Sequence, residues 1–441
     1  MLLTQKIRIF PTKAQENVLW VLSEKCRLIY NFALQDRKTN WVEQQSKEKK
    51  NRKYLTYYDQ SAELPLIKKK YPEYKWVYSK VLQQVVKKLD ENFKSFFGKL
   101  KNDDTARPPQ FKGKKYFVTL CFNQSGFTVK PDSVSFYNKH PSKIPLVFKL
   151  KQKYKGSEKV KQVEIIYYEK KWFVCIAYDY EKPTYNDNGL YQAIDLGITD
   201  IVSAVNLDLK FIKIKNRRDD LFWKKHMKKV HSKRDHCKKG SHRWIRYNTT
   251  LKRMKRKYAN QMKDFQHKIS KRIVSNTKAN TIIIGDLNVK QMSKHKKGTG
   301  SGRKTKFNKT LNHSIHNTGS LSRFSQFLTY KAELLGKKVI RIDESNTTKK
   351  CCICGKLKKR SLKERTIVCD CGNSMDRDNN SAVNIMERFL SLKHKYDFLS
   401  HKTSVKEESF YNKLGLLRNT ALSSPLTKDS GLVVNVERSI S

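Results

Sequence analysis

Apolar and polar positions alternate along Lys6–Phe10, the period of a strand, and the period changes at Pro11-Thr12. From there Leu19, Leu22, Cys26, Ile29 and Ala33 fall three and four apart, the apolar face of a helix. Lys-rich helical sequence continues to about Leu100. From PPQFKGKKYFVTLCF onward the period returns to two, in the short runs FTV, SVSF, IPLVFKL, QVEIIYYE and WFVCIAY. Turn residues separate these runs, which predicts a β-barrel or sandwich over about 107–182. The polar stretch from Glu181 to Gly189 marks a domain boundary.

Beyond it, YQAIDLGITDIVSAVN and LKFIKIK predict three strands joined by tight turns. A long basic helical region follows, from about 216 to 274. Its second half carries Leu251, Met254, Tyr258, Met262, Phe265, Ile269 and Ile273 on one stripe, a seam for a core or a hairpin partner. Then comes IIIGDLNV, three β-branched residues in a row ending near a carboxylate, which predicts a strand buried on both faces. After it follow a Gly/Lys/Ser-rich loop (Lys294 to Lys309) expected to be mobile, a helix from about Ser320 to Leu335, the strand KVIRIDE, and a helix from about Asn380 to Leu390. Three strands, helix, strand, helix, strand, helix is the ribonuclease H order of an α/β fold. The sequence after Tyr396 is weakly patterned and predicts disorder or a loosely packed appendage.

Charge narrows the class of partner. Of 441 residues, 94 are Lys or Arg against 40 acids, a formal charge of +54. A surplus of that size favours self-repulsion unless a polyanion neutralises it, which points to nucleic acid rather than a small-molecule substrate. The residues best placed to meet phosphates are Lys252, Arg253, Lys255, Arg256, Lys257, Lys268, Lys271 and Arg272, on the polar faces of the striped helix. No segment approaches the ~20 apolar residues of a membrane span, so the chain is expected to be soluble and intracellular: cytoplasmic and nucleoid-associated, or nuclear in a eukaryotic host.

Five of the nine cysteines crowd into CCICGKLKKRSLKERTIVCDCG. Cys351-x-x-Cys354 and Cys369-x-Cys371 form two close pairs of thiolates separated by fourteen residues, four soft donors of the kind Zn(II) prefers. Cys352 is the spare. Four protein ligands leave no open position for water, so the role is structural. The tighter CxC of the second pair is the irregular feature.

Acids are the other candidate chemistry. A nuclease that uses two divalent cations ~3.5–4 Å apart needs carboxylates converging from separate elements. Asp195 lies in the middle of the strand AIDLG, where a charge is costly without a partner or cation. Asp376 or Asp378 opens the last helix, although Asp378 also suits an N-cap.

In this order, IDLGI, GDLNV, CxxC, CxCG and DRDxNSAxNI resemble the TnpB family of transposon-encoded RNA-guided nucleases, their Fanzor and viral relatives and, more distantly, the type V CRISPR effectors. KIRIFPTKAQENVLW, PPQFKGKK and NQMKDFQHKISKRIV extend the resemblance over residues 1 to about 390. It implies a wedge-like β-barrel domain (1–10 and 101–185) interrupted by a helical recognition lobe (11–100). A RuvC-type, ribonuclease H-like nuclease domain (186–345 and 376–395) then carries an inserted zinc ribbon (346–375), and a tail follows (396–441). The implied partners are a guide RNA and target DNA, the implied cofactors structural zinc and catalytic magnesium, and the implied role DNA cleavage in support of transposition.

In most of that family the second motif reads Glu-Asp-Leu-Asn, with the Glu catalytic; here that Glu is Gly285. Asp286 is offset by one residue and so points to the other face. Two readings stay open. The chain is a nuclease-dead, RNA-guided DNA binder, or another acid fills the place. In Fanzor-like members with Gly-Asp at this motif, a glutamate just ahead of the zinc knuckle serves, and Glu344 matches it; otherwise Glu344 is an exposed acid at a strand end. The relocated set Asp195, Glu344 and Asp378 is the favoured expectation, with a guide-independent zinc-ribbon DNA-binding protein as a further alternative.

Overall fold

Strand β1 (Leu2–Ile9) alternates as its sequence requires, with Ile7 and Ile9 buried and Lys6 and Arg8 turned outward over aromatic rings. The computed structural model of the chain describes residues 1–102, 105–156, 159–286, 321–361, 364–396 and 405–423, in two compact units, Met1–Glu181 and Lys182–Ser441.

In the first unit, helix α1 (Lys13–Gln45) starts at a capping box: the Thr12 hydroxyl accepts from the Gln15 amide and the Gln15 side chain accepts from the Thr12 amide. Leu19, Leu22, Cys26, Ile29 and Ala33 are all buried along it. Helices α2 (Tyr57–Ala62), α3 (Leu64–Lys70) and α4 (Ser79–Leu100) complete the helical part. The chain then forms β2 (Leu120–Asn123), β3 (Phe127–Val129), β4 (Ser133–Phe136), β5 (Leu146–Lys149), β6 (Val160–Tyr168) and β7 (Lys171–Asp179).

These strands make two open sheets, β1-β7-β6-β2 and β3-β4-β5, which share one core through Phe122, Phe136 and Phe148. The expected closed barrel is absent among the described residues. With β3, β4 and β5 only three or four residues long and β1 and β2 unpaired on their outer sides, no continuous ladder closes. The helices lie between β1 and β2 in sequence, and those two strands are the sheet's edges.

The second unit is built on β8 (Tyr191–Asp195), β9 (Asp200–Asn206), β10 (Phe211–Lys215), β11 (Thr281–Gly285) and β12 (Lys338–Ile342), in the order β10-β9-β8-β11-β12. The first three are antiparallel, and β11 is parallel to both β8 and β12. The basic region is a pair of helices, α5 (Asp219–Asp235) and α6 (His242–Asn276), and Trp223 of α5 donates to Gln261 of α6 at 2.9 Å. Next come α7 (Leu321–Glu333) and, after the cysteine segment, α8 (Arg377–Tyr396).

Because side chains alternate, the sheet feeds two cores. Ile282 and Ile284 pack with Ile273, Phe324 and Leu328 of α6 and α7. Tyr191, Ala193, Ile283 and Ile342 pack with Ala382, Ile385 and Met386 of α8. This fixes which face each neighbouring polar residue takes.

One expectation changes in the last part of the chain. Residues 405–423 form a helix, α9 (Val405–Ser423), whose Phe410 and Leu414 are fully buried in the α8-side core. Lys393 of α8 bonds the buried Glu407 of α9 at 2.7 Å. Two buried apolar side chains contribute roughly 3–6 kcal/mol, enough to dock a helix that the weak pattern in sequence does not announce. The Lys294 to Lys309 loop lies outside the described residues. Among the described residues no helix is long and apolar enough to cross a membrane.

Candidate acidic site and metal centre

Asp195 ends β8 rather than lying in its middle, and Tyr191 and Ala193, four and two residues before it, put it on the α8 side. Register places Ile284 beside Ile194, so Gly285 and Asp195 come level one step further on, on neighbouring parallel strands. On the other side Gly285 pairs with Ile342, and Glu344 follows two residues later, just past the end of β12.

The Glu344 side chain folds over Gly285. A Cβ built at 285 collides with Glu344 Oε2 and meets its Cβ at 3.0 Å and its Cδ at 3.3 Å. The space that a side chain at 285 would use is therefore filled by the carboxylate of Glu344. Asp286 is exposed, and its amide donates to the Ile342 carbonyl at 2.7 Å.

The third acid comes from α8. Asp376 Oδ1 accepts from the amides of Asp378 (2.9 Å) and Asn379 (3.1 Å), so Asp376, not Asp378, caps the helix. Its Oδ2 is held by Lys213 at 2.7 Å. Asp378 is thereby free of capping; it is buried and faces Arg365 (3.5 Å) and Arg377 (3.4 Å).

These acids act on one another. Burial first, then the charges of Asp378 and Glu344, push the Asp195 carboxyl up to about 8, against the pull of Arg377 and a hydrogen bond from Ser381. Burial, followed by Asp286 and Asp343, pushes Glu344 up to about 7. Opposite Asp195 on β9, the buried Ser203 hydroxyl has no hydrogen-bond partner among the described residues. Crowded carboxylates beside an orphaned hydroxyl are hard oxygen donors short of positive charge, a set that suits divalent cations of the magnesium type.

Sequence reasoning missed the residues that mount this site. The Ser381 hydroxyl lies 3.0 Å from Thr347 Oγ1, and Thr347 bonds the Glu344 carbonyl through both its amide (3.2 Å) and its hydroxyl (2.9 Å). Asn380 and Asn384 each donate to the carbonyls of Thr347 and Lys350. The signal was present in NNSAVN: Asn380, Ser381 and Asn384 are buried polar residues on a helix otherwise turned to the core.

The cysteines form the second site. Cys351, Cys354, Cys369 and Cys371 bring their sulfurs within 4.8 Å of one another, with 3.7 Å between Cys351 and Cys371 and 3.6 Å between Cys354 and Cys369. A tetrahedron with metal–sulfur bonds of ~2.3 Å has edges of ~3.8 Å, so the donor set fits a metal ion. Gly355 (φ 76°) and Gly372 (φ 82°) turn the two knuckles in the left-handed region. Strands β13 (Thr366–Val368) and β14 (Ser374–Asp376) form the hairpin leading to α8. Burial alone would raise the Cys351 thiol, but the Cys354 and Ile353 amides and the Asn373 side chain outweigh it and bring it down to about 7. Cys352 points away, its sulfur 4.0 Å from Met375 Sδ. Among the described residues no other group of Cys, His, Asp or Glu converges in this way, the three acids included. The eight basic residues named on α6 are all exposed, and Leu251, Met262 and Ile273 of its stripe are buried.

Three family models match the chain in order: "Helix-turn-helix domain" of the OrfB type over residues 1–46, "Probable transposase" (OrfB of IS605) over 174–296, and "Cas12f1-like, TNB domain" over 322–385. In sequence the chain is similar to the TnpB/OrfB family. The first description is not the local shape here, since residues 1–46 form β1 and one 33-residue helix. A "Putative RNA-guided DNA endonuclease" of Streptomyces pristinaespiralis is 25% identical over 392 residues, 88% of this chain and 89% of the relative. A TnpB-like protein of Acanthamoeba polyphaga mimivirus is 33% identical over 147 residues, 33% of this chain and 26% of that protein. Among solved structures, the Cas12f1 chain in a complex with sgRNA and target DNA superposes with a TM-score of 0.54 at 13% identity, over 87% of this chain and 98% of that one. At that identity the likeness is one of fold.

Proposed function

We propose that this TnpB/OrfB-like chain is an active RNA-guided DNA endonuclease whose acid set is Asp195, Glu344 and Asp378. The observation that carries the reading is the Glu344 carboxylate lying over Gly285, level with Asp195 on the face that α8 covers. A strand-end acid has been exchanged for one from the next strand, ~4.8 Å away, with glycine leaving the room.

The residues divide the work. Asp195, Glu344 and Asp378 would hold a pair of magnesium ions, which when bound supply charge stabilisation and a water activated for attack on a phosphodiester. Arg365 and Arg377 restrain Asp378 and offset part of the negative charge. The quartet Cys351, Cys354, Cys369 and Cys371 holds zinc, and the ribbon's Thr347 and Lys350 carbonyls dock on Asn380 and Asn384. The exposed cations of α6, Lys252 to Lys257 and Lys268 to Arg272 among them, contact phosphates of a guide RNA or target DNA, leaving sequence to base pairing.

The rival reading, a binder without cleavage, predicts equal behaviour of acid variants and wild type. The test is cleavage of a plasmid carrying a guide-matched target in magnesium. Glu344→Gln is expected to lose at least about 100-fold in rate, and Asp286→Asn to keep most of it. Undiminished cleavage by Glu344→Gln would refute the acid set, and no cleavage by the wild type would favour the binder. RNA copurifying with the chain separates either from a guide-free zinc-ribbon protein.

A further inference from the structure

Moving a catalytic acid off the end of a buried strand poses a mechanical problem. A residue at the end of β11 is held by ladders on both sides, whereas Glu344 follows the last ladder residue of β12 and must be held by something else. Thr347 bonds the Glu344 carbonyl, and one further side chain grips the peptide on either side. The Arg388 guanidinium, from α8, donates through Nη1 to the Asp343 carbonyl and through Nη2 to the Ser345 carbonyl at 2.9 Å, gripping the peptide on both sides of Glu344. Its Nη1 also lies 3.4 Å from Asp343 Oδ2, and that carboxylate's Oδ1 accepts from the Ser345 amide (3.1 Å) and hydroxyl (2.6 Å). The turn is thus closed on itself and pinned to the helix that carries Asp378.

We propose that Arg388 is a positioning residue that fixes the Glu344 carboxylate over Gly285 and so sets the geometry of the cation site. The inference rests on the acid set given above and adds a residue to it. Arg388 works through the backbone, its planar fork spanning the two carbonyls in a fixed geometry; a lysine at 388 keeps the charge and loses that fork.

The readout is affinity for Mn(II), a magnesium stand-in, followed by electron paramagnetic resonance of the free ion on the full zinc-loaded chain, alongside melting temperature. Arg388→Met is expected to weaken Mn(II) binding about tenfold, the scale of lost outer-sphere support. Arg388→Lys should fail to restore it, and it carries the same test if the Met variant folds poorly. Because Arg388 acts through Glu344, Arg388→Met added to Glu344→Gln should weaken binding no further than Glu344→Gln alone. Wild-type affinity in both Arg388 variants, with Glu344→Gln weakened, overturns the proposal and leaves the acid set standing, as does an additive double variant. Wild-type affinity in Glu344→Gln removes the acid set itself, and the role of Arg388 with it.

Discussion

Asp195 is the residue whose environment is most at odds with its charge. In an unfolded chain an aspartate titrates near ~4. In the folded chain burial and the neighbouring acids carry it to about 8, so between those values the folded form holds a proton that the unfolded form has lost. Stability therefore falls as pH rises through that window, and Glu344 adds to the fall up to about 7. Asp195→Asn should exceed wild type in melting temperature by several degrees more at pH 8.5 than at pH 5 in magnesium-free buffer, read by calorimetry, at about 2–4 °C per kcal/mol. An equal difference at both pH values would contradict the repulsion. Some of this was legible beforehand. The charge inside AIDLG marked Asp195, and the period of two ruled Asp286 off the face. That Asp376 takes the helix cap and leaves Asp378 free was not legible, because both spacings suit an N-cap and the choice is made by Lys213 from a distant strand.

Among the elements, the cysteine hairpin was the most readable, since thiolate spacing is a local property of the chain. The irregular CxC closes because Gly372 turns directly after Cys371, with its amide bonded to the Cys369 carbonyl at 2.9 Å. Elemental analysis should find one zinc per chain in Cys352→Ser and none in Cys369→Ser. The second variant should also lose cleavage, since the ribbon's Thr347 and Lys350 no longer seat on α8. Retention of zinc by Cys369→Ser would displace that residue from the ligand set. The strands of the second unit's sheet were legible for the same local reason. The closed barrel was not a safe reading, because alternation specifies strands and is silent on which edges meet. Helix α9 escaped notice because a few buried side chains, Phe410, Leu414 and Glu407, decide its place, and no stripe advertises it.

At the level of the whole chain, the surplus of +54 makes association with a polyanion strongly dependent on salt. Replacing Lys252, Lys255, Lys268 and Lys271 of α6 by Gln should lower the slope of log K against log salt by up to about 0.9 for each duplex phosphate no longer neutralised, or about 0.7 on single strands. The measurement is binding of the guide-loaded complex to target DNA across a salt series; an unchanged slope would place the phosphates against other residues. The position of α9 has a temporal consequence. Every acid and every cysteine ligand is already in the chain by residue 378, yet the hydrophobic floor beneath α8 is roofed only once Phe410 and Leu414 arrive. During translation the face that carries the proposed acid set therefore gains its backing last, when those residues have cleared the ribosome.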